Sequence, residues 1–243
     1  METYSRNKDG RYVVKLPLSA SASSLGGSMA RAKACLQRMK KKINSSDGFG
    51  QLYLDFMNEY FTLNHMEKVP RDELNKKPSF YLPHHGVLRM ESLTTKLRVV
   101  FNGSAPTTSG QSLNDIMYVG PNLLLNIVDV ITWLRSHKFV LSTDITKMYR
   151  QILVYPEDRN LQRIIWSDKQ NQEVHYRLNT VTYGTRAAPF LAIRTLLQLV
   201  EDEGNKYPLA VESLTKGRYV DDIFGGAETL NQLEAKADQL ENL

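Results

Sequence analysis

The chain is 243 residues long, and its 31 Lys+Arg against 26 Asp+Glu give a net charge of +5 and a pI near 9.1. With 42% hydrophobic and 23% charged residues, 14 Gly and 9 Pro, it has the composition of a globular protein with a substantial core, which excludes disordered, collagenous and disulfide-scaffold classes. The single Cys35 cannot form an internal disulfide or a cysteine zinc site.

The opening residues lack the apolar stretch of a signal peptide. The longest apolar run, Leu123 to Leu134, is broken by Asn126 and Asp129 and is too short for a bilayer, so a soluble protein with no membrane partner is expected. The charge is uneven: residues 1–100 hold 17 Lys+Arg and 9 Asp+Glu, residues 101–243 hold 14 and 17. A basic first part suits a polyanion and an acidic second part suits cations, although a solvated basic helix face explains the former equally well.

Asp9 to Pro17 reads as a turn and a short strand, and Ser19 to Ser28 as a loop. Met29, Ala32, Leu36, Met39 and Ile43 fall on one face of a helix, with Arg31, Lys33, Arg38 and Lys40 to Lys42 mostly elsewhere. Leu52, Tyr53, Phe56, Met57, Tyr60 and Phe61 predict a buried stripe on a second helix. Phe80 to Leu82, Gly86 to Leu88 and Lys96 to Phe101 read as strands, and Gly103 to Gly110 as a loop. Leu123, Leu124, Ile127, Val128, Ile131 and Leu134 have helical spacing, ending near His137.

Phe139 to Ile145 reads as a buried strand with an acid at its end, and Leu161 to Trp166 with Val174 to Leu178 as a hairpin turning over Asp168 to Gln172. A long helix is expected from the Arg186–Pro189 region through Val200, broken at Gly204 and Pro208. Arg218 to Gly225 reads as two strand pieces turning at an acid pair, and Thr229 as the cap of a last helix. Irregular mixing of strands and helices favours α+β.

The chemistry concentrates in Asp221 and Asp222, adjacent acids within Tyr219-Val220-Asp221-Asp222-Ile223-Phe224. Carboxylates crowded in an apolar strand are unfavourable unless a cation neutralises them, and Mg²⁺ takes such oxygen ligands. Asp144 closes a second apolar run. Three acids at the ends of two strands could hold two ions about 3.5–4 Å apart for in-line phosphoryl displacement. A surface turn with two solvated acids accounts for the isolated string as well. His84 and His85 are adjacent, so on a strand they point to opposite faces and do not suit one shared ion. Met90 and Met148 read as packing residues. Lys40 to Lys42 read as a solvated face or as phosphate contacts.

Ordered blocks along the chain resemble reverse transcriptases, most closely those of BEL/Pao long-terminal-repeat retrotransposons. They are DGRYVVKLP from Asp9, YLPHHGV from Tyr81, TTKLRVVFNGSA from Thr94, SLND from Ser112, Gly120-Pro121-Asn122, DITKMYRQI from Asp144, TYGT from Thr182, Ala188-Pro189-Phe190, and Tyr219 to Asp222.

The resemblance implies an RNA-directed DNA polymerase transferring deoxynucleotides to a primer 3′-hydroxyl. It implies a right-hand palm, an antiparallel sheet backed by helices, with fingers near 10–118 and 152–187 and palm near 119–151 and 188–243. Asp144, Asp221 and Asp222 are similar to the catalytic acids, Asp144 and Asp221 as principal ligands of two Mg²⁺ ions, with Mn²⁺ a possible substitute, and Asp222 less direct. Tyr149 is similar to the steric gate under the deoxyribose, Arg98 to a fingers arginine over the incoming nucleotide, and Lys96 to a phosphate contact. Tyr183 and Gly184 resemble the strip beside nucleotide and template; many retroviral relatives have Gln in the place of Tyr183, so hydrogen bonding does not transfer. Tyr219 and Pro189 fall in segments that border nucleic acid.

Twenty-one residues follow Asp222, and the resemblance implies that the thumb, RNase H and integrase domains belong to other parts of a polyprotein. The chain therefore reads as one truncated domain, 1–243, thumb absent, with template-primer and dNTPs as partners. Cytoplasmic virus-like particles are the implied location. Other readings are a non-catalytic nucleic-acid-binding fragment or relic, and another two-metal nucleotidyl-transfer or nuclease enzyme.

Overall fold

The computed structural model describes residues 4–45, 47–89, 91, 96–168, 170 and 172–243. Met90, Thr94 and Thr95 of the sequence reading, and Lys169 and Asn171 of the expected hairpin turn, lie outside them. In chain order the elements are β1 (Tyr4–Arg6), β2 (Tyr12–Val14), α1 (Met29–Asn44), α2 (Asp47–Thr62), β3 (Met66–Lys68), β4 (His84–Leu88), β5 (Leu97–Phe101), α3 (Ile127–Arg135) and β6 (Phe139–Asp144). They continue with α4 (Met148–Gln151), β7 (Leu153–Val154), β8 (Arg163–Ser167), β9 (Glu173–Leu178), α5 (Ala188–Glu203), α6 (Pro208–Lys216), β10 (Arg218–Tyr219), β11 (Asp222–Ala227) and α7 (Leu230–Asn242). The chain is thus α+β. Among the described residues no helix is long and apolar enough to cross a membrane.

The elements divide into two units, Met1–Val119 with Tyr149–Ala188, and Gly120–Met148 with Pro189–Leu243. The first contains the sheets β1-β2-β7 and β3-β9-β8 and the hairpin β4-β5. Its core gathers the buried faces of α1 (Ala32, Leu36, Met39) and α2 (Tyr53, Met57, Tyr60) against Phe101, Ile164 and Trp166. Three- and four-residue spacing of these side chains gives each helix one apolar face. Phe61 departs from the expected stripe: it is 49% exposed, with only its ring edge meeting Tyr176. Phe80 to Leu82 is buried but forms no regular strand; it bridges Arg163 through backbone bonds at Phe80 and Leu82.

The second unit is built on the antiparallel sheet β10-β11-β6, with α6 and α7 packed on β11. Glycine lets the layers approach: a Cβ on Gly226 would collide with the His137 ring, and the Gly226 carbonyl accepts from the buried Lys236 ammonium at 2.6 Å. Thr229 caps α7 by accepting from the Gln232 amide.

Three expectations change here. The strand of Phe139 to Asp144 is an edge strand rather than a buried one, because among the described residues β6 pairs with β11 alone; Val140 is 51% exposed. Helix α3 starts at Ile127, since Asn126 Oδ1 caps it by accepting from the Val128 amide, and Leu123 and Leu124 precede it. Its buried residue is Val130, whereas Val128 is 63% exposed. Helix α6 was not expected, because Pro208 reads as a breaker; it sits at the first helical position, where its missing N–H is harmless.

Candidate functional site

In the second unit, β10 and β11 are joined by the two residues Val220 and Asp221, with Tyr219 paired across from Asp222. Val220 has φ 58°, a conformation unfavourable for a β-branched residue and held here by the flanking strands. Asp222 lies directly opposite Asp144 in the β11–β6 register, and the Asp221 carbonyl accepts from the Ile145 amide at 2.9 Å. The three acids therefore gather at one end of β6.

All three carboxylates are exposed at the sheet end. Asp144 has its pKa raised, first by burial and then by the negative charges of Asp221 and Asp222. Among the described residues none of the three forms an ion pair with a base. The charge is thus left for a cation, and the all-oxygen donor set fits a hard divalent ion. Yet among the described residues no three acids or imidazoles converge on one ion position. Asp221 lies in the turn and Asp222 at the start of β11, and among the described residues the protein alone offers no complete coordination sphere. That suits Mg²⁺, which takes one or two carboxylates and fills its shell with water and phosphate.

Tyr219 is partly exposed beside these acids, and Pro189 is exposed as the second residue of α5. The hairpin is fixed at its base by Arg218, which is buried and donates to the Leu214 carbonyl at 3.1 Å and to the Leu123 carbonyl at 3.4 Å. Burial lowers its pKa. Sequence reasoning passed over Arg218; the signal available was a basic residue in a strand alternation where an apolar one belongs.

In the first unit, Arg98 is exposed on β5 opposite Val87, and Lys96 is exposed two residues earlier, at the open end of the hairpin where its carbonyl accepts from the Arg89 amide. Tyr183 lies close enough to feel the Arg98 charge, and burial is the main cause raising its phenol pKa. Its hydroxyl donates to the Val99 carbonyl at 2.6 Å, and its ring lies 5.6 Å from Phe101 and 6.5 Å from Tyr149. The hydrogen bond is directed into the unit. Gly184 has φ 95°, and a Cβ there would collide with the Phe101 carbonyl oxygen. Asn114 Nδ2 donates to the Gly184 carbonyl at 3.1 Å. Arg98, Tyr149, Tyr183 and Gly184 are thus brought together around the end of β5, with Lys96 farther along the same hairpin.

The residue after Tyr149 is also anchored: Arg150 pairs with Glu59 at 2.6 Å and stacks over the Tyr60 ring at 4.8 Å. His84 is buried and His85 exposed, so they do not share a site. Met148 is buried, as a packing residue should be.

No curated protein matches the chain. The family described as Reverse transcriptase (RNA-dependent DNA polymerase) matches residues 59–243. That match runs from the last turn of α2 to the final residue and takes in Arg98, Asp144, Tyr149, Tyr183 and the Asp221-Asp222 turn. The chain belongs to the reverse transcriptase family, the RNA-dependent DNA polymerases.

Proposed function

We infer that the chain performs template-directed deoxynucleotidyl transfer with Asp144, Asp221 and Asp222 as its metal-holding acids. The observation supporting this most strongly is the register that sets Asp222 across from Asp144 with Asp221 in the adjoining turn. The unit containing the acids is the palm, and the unit containing Arg98 and Tyr183 is the fingers. The BEL/Pao subtype rests on the sequence blocks quoted above, and with it the association with further polyprotein domains.

Two divalent ions held there would supply charge neutralisation at the primer 3′-oxygen and at the leaving pyrophosphate. Asp144 and Asp221 are their principal protein ligands, and Asp222 adds negative charge beside them. The raised Asp144 pKa, caused first by burial and then by its two acidic neighbours, is relieved when a cation binds beside it. Arg98 offers a planar cation to the triphosphate and base, and Lys96 a second phosphate contact. Tyr149 packs under the sugar and leaves no room for a 2′-hydroxyl. Tyr183, tied back to Val99, holds the adjoining Gly184 backbone where template and nucleotide pass. Tyr219 and Pro189 border the nucleic acid.

Primer extension on an RNA template with dNTPs and Mg²⁺ or Mn²⁺ tests this reading. Asp221→Asn is expected to lower extension at least about 100-fold. Equal extension by wild type and variant would overturn the metal assignment. Tyr149→Ala is expected to increase ribonucleotide use relative to deoxyribonucleotide use; unchanged discrimination would remove the gate.

A further inference from the structure

Helix α1 lies outside the residues that match the polymerase family, and its sequence MARAKACLQRMKKKIN contains six bases and no acid. Ala32, Leu36 and Met39 are buried against α2, β4 and β8, which consumes the apolar face. On the opposite face Arg31, Ala34, Gln37, Arg38 and Lys41 are exposed and line a shallow trough of about 580 Å³.

The other bases of the helix have partners. Lys33 pairs with Glu173 at 2.8 Å, and Lys42 lies 4.4 Å from the Phe49 ring centroid. Among the described residues, Arg31, Arg38 and Lys41 have no carboxylate within ion-pair distance. Ten residues at a rise of about 1.5 Å separate Arg31 from Lys41, so the row extends over about 15 Å, the length of two to three phosphates of an extended strand.

We propose that the outer face of α1 is a binding track for the phosphodiester backbone of a single nucleic-acid strand, engaged through Arg31, Arg38 and Lys41. A bilayer is disfavoured because membrane-surface helices need an apolar face to insert, and this one is already packed. The lining offers no aromatic ring on which a base could stack and three cations for phosphate, so contact through the backbone is the mode it favours. The track is therefore indifferent to sequence and shared by RNA and DNA, and its strength is electrostatic. Its role is to hold a strand on the polymerase independently of the acid hairpin.

Fluorescence anisotropy of a labelled 20-nucleotide RNA, repeated with DNA of the same sequence over a salt series, tests the track. The combined variant Arg31→Gln/Arg38→Gln/Lys41→Gln is expected to weaken both by about tenfold or more near 50 mM salt. It should also flatten the log–log salt slope by about 2, from three contacts at about 0.7 each. A control variant with Lys8→Gln/Lys68→Gln/Lys77→Gln removes the same charge from exposed positions elsewhere and is expected to change affinity less than about threefold. Unchanged melting of both variants separates loss of contact from loss of fold.

Equal weakening by the control would assign the effect to net charge and overturn the proposal, as would an unaltered salt slope in the α1 variant. Capture of phosphatidylserine vesicles through α1 with no α1 dependence of RNA binding would transfer the surface to lipid and overturn it too. In an Asp221→Asn background, which is expected to lose extension, the α1 substitutions are still expected to weaken RNA binding, so failure of the track and failure of the polymerase reading give different results.

Discussion

His84 lies between two partners that require its neutral ring. The Ile165 carbonyl, 3.0 Å from Nε2, can only accept, so Nε2 bears the hydrogen and Nδ1 accepts from the Tyr53 hydroxyl at 2.6 Å. Burial is the main cause that lowers the pKa to about 4 from an ordinary 6.5. Above pH 6.5 the ring is neutral folded or unfolded. As pH falls below 6.5 the unfolded chain gains a proton that the folded chain refuses, so stability declines toward pH 4. The decline from this one residue is about 1.4 kcal/mol per pH unit at its steepest. Urea unfolding of wild type and His84→Gln at pH 7.5, 6.5 and 5.5 checks it: the two curves should converge as pH drops, and parallel curves would show that His84 titrates normally. Gly184 makes a second prediction at this scale. Its φ of 95° and the Phe101 carbonyl oxygen leave no space for a methyl group, and the obstacle is backbone rather than a movable side chain. Gly184→Ala is expected to lose about 2–3 kcal/mol by denaturant unfolding, with nucleotide affinity falling beside it.

The acid hairpin as an element depends on a residue that takes no part in its chemistry. Arg218 closes the base of β10, satisfying the Leu214 carbonyl in the last turn of α6, where a helix end leaves acceptors unpaired, and the Leu123 carbonyl in the segment ahead of α3. Arg218→Met retains much of the volume and removes these donors. It is expected to destabilise by about 2–3 kcal/mol in urea and to lower primer extension, since the turn holding Asp221 shares its anchorage. Destabilisation with normal extension would show that the turn is held by β6 alone. The hairpin itself was legible because two strand pieces flank a two-residue turn, and local spacing determines that. Helices α1, α2 and α5 were legible from the same kind of periodicity. Arg218 to Leu123 is a contact across 95 residues, and the Tyr183 to Val99 bond joins segments 84 apart, so the local sequence, which marks Arg218 as out of place in its strand, names the partner of neither. Exposure was the least legible property. Leu124, Val128 and Ile131 have the spacing of a core stripe, and β6 the composition of a core strand. What decides their burial is whether another element covers them, which spacing along one segment does not record.

At the scale of the whole molecule, the charge imbalance follows the structural division. The first unit has 23 Lys+Arg against 14 Asp+Glu, and the second has 8 against 12, so a net charge of +5 combines a basic body and an acidic one. The acidic unit also places three of its carboxylates at one sheet end, where their mutual repulsion contributes to raising the Asp144 pKa. Such a site is destabilising when empty and stabilising when filled, because a ligand that binds the folded chain alone shifts the unfolding equilibrium. Mg²⁺ at about ten times its dissociation constant should therefore stabilise by about 1.4 kcal/mol and raise the melting temperature by about 3–5 °C in a chain of this size. Scanning fluorimetry at constant ionic strength, with NaCl replacing MgCl₂, separates this from general screening. Asp221→Asn should lose the Mg²⁺-dependent rise and, without Mg²⁺, melt no lower than wild type, since one of three like charges has gone. A variant that keeps the full rise would place the stabilising ion elsewhere. One that melts well below wild type without Mg²⁺ would mean that Asp221 supports the fold directly, and that the acids do not oppose one another in the empty site.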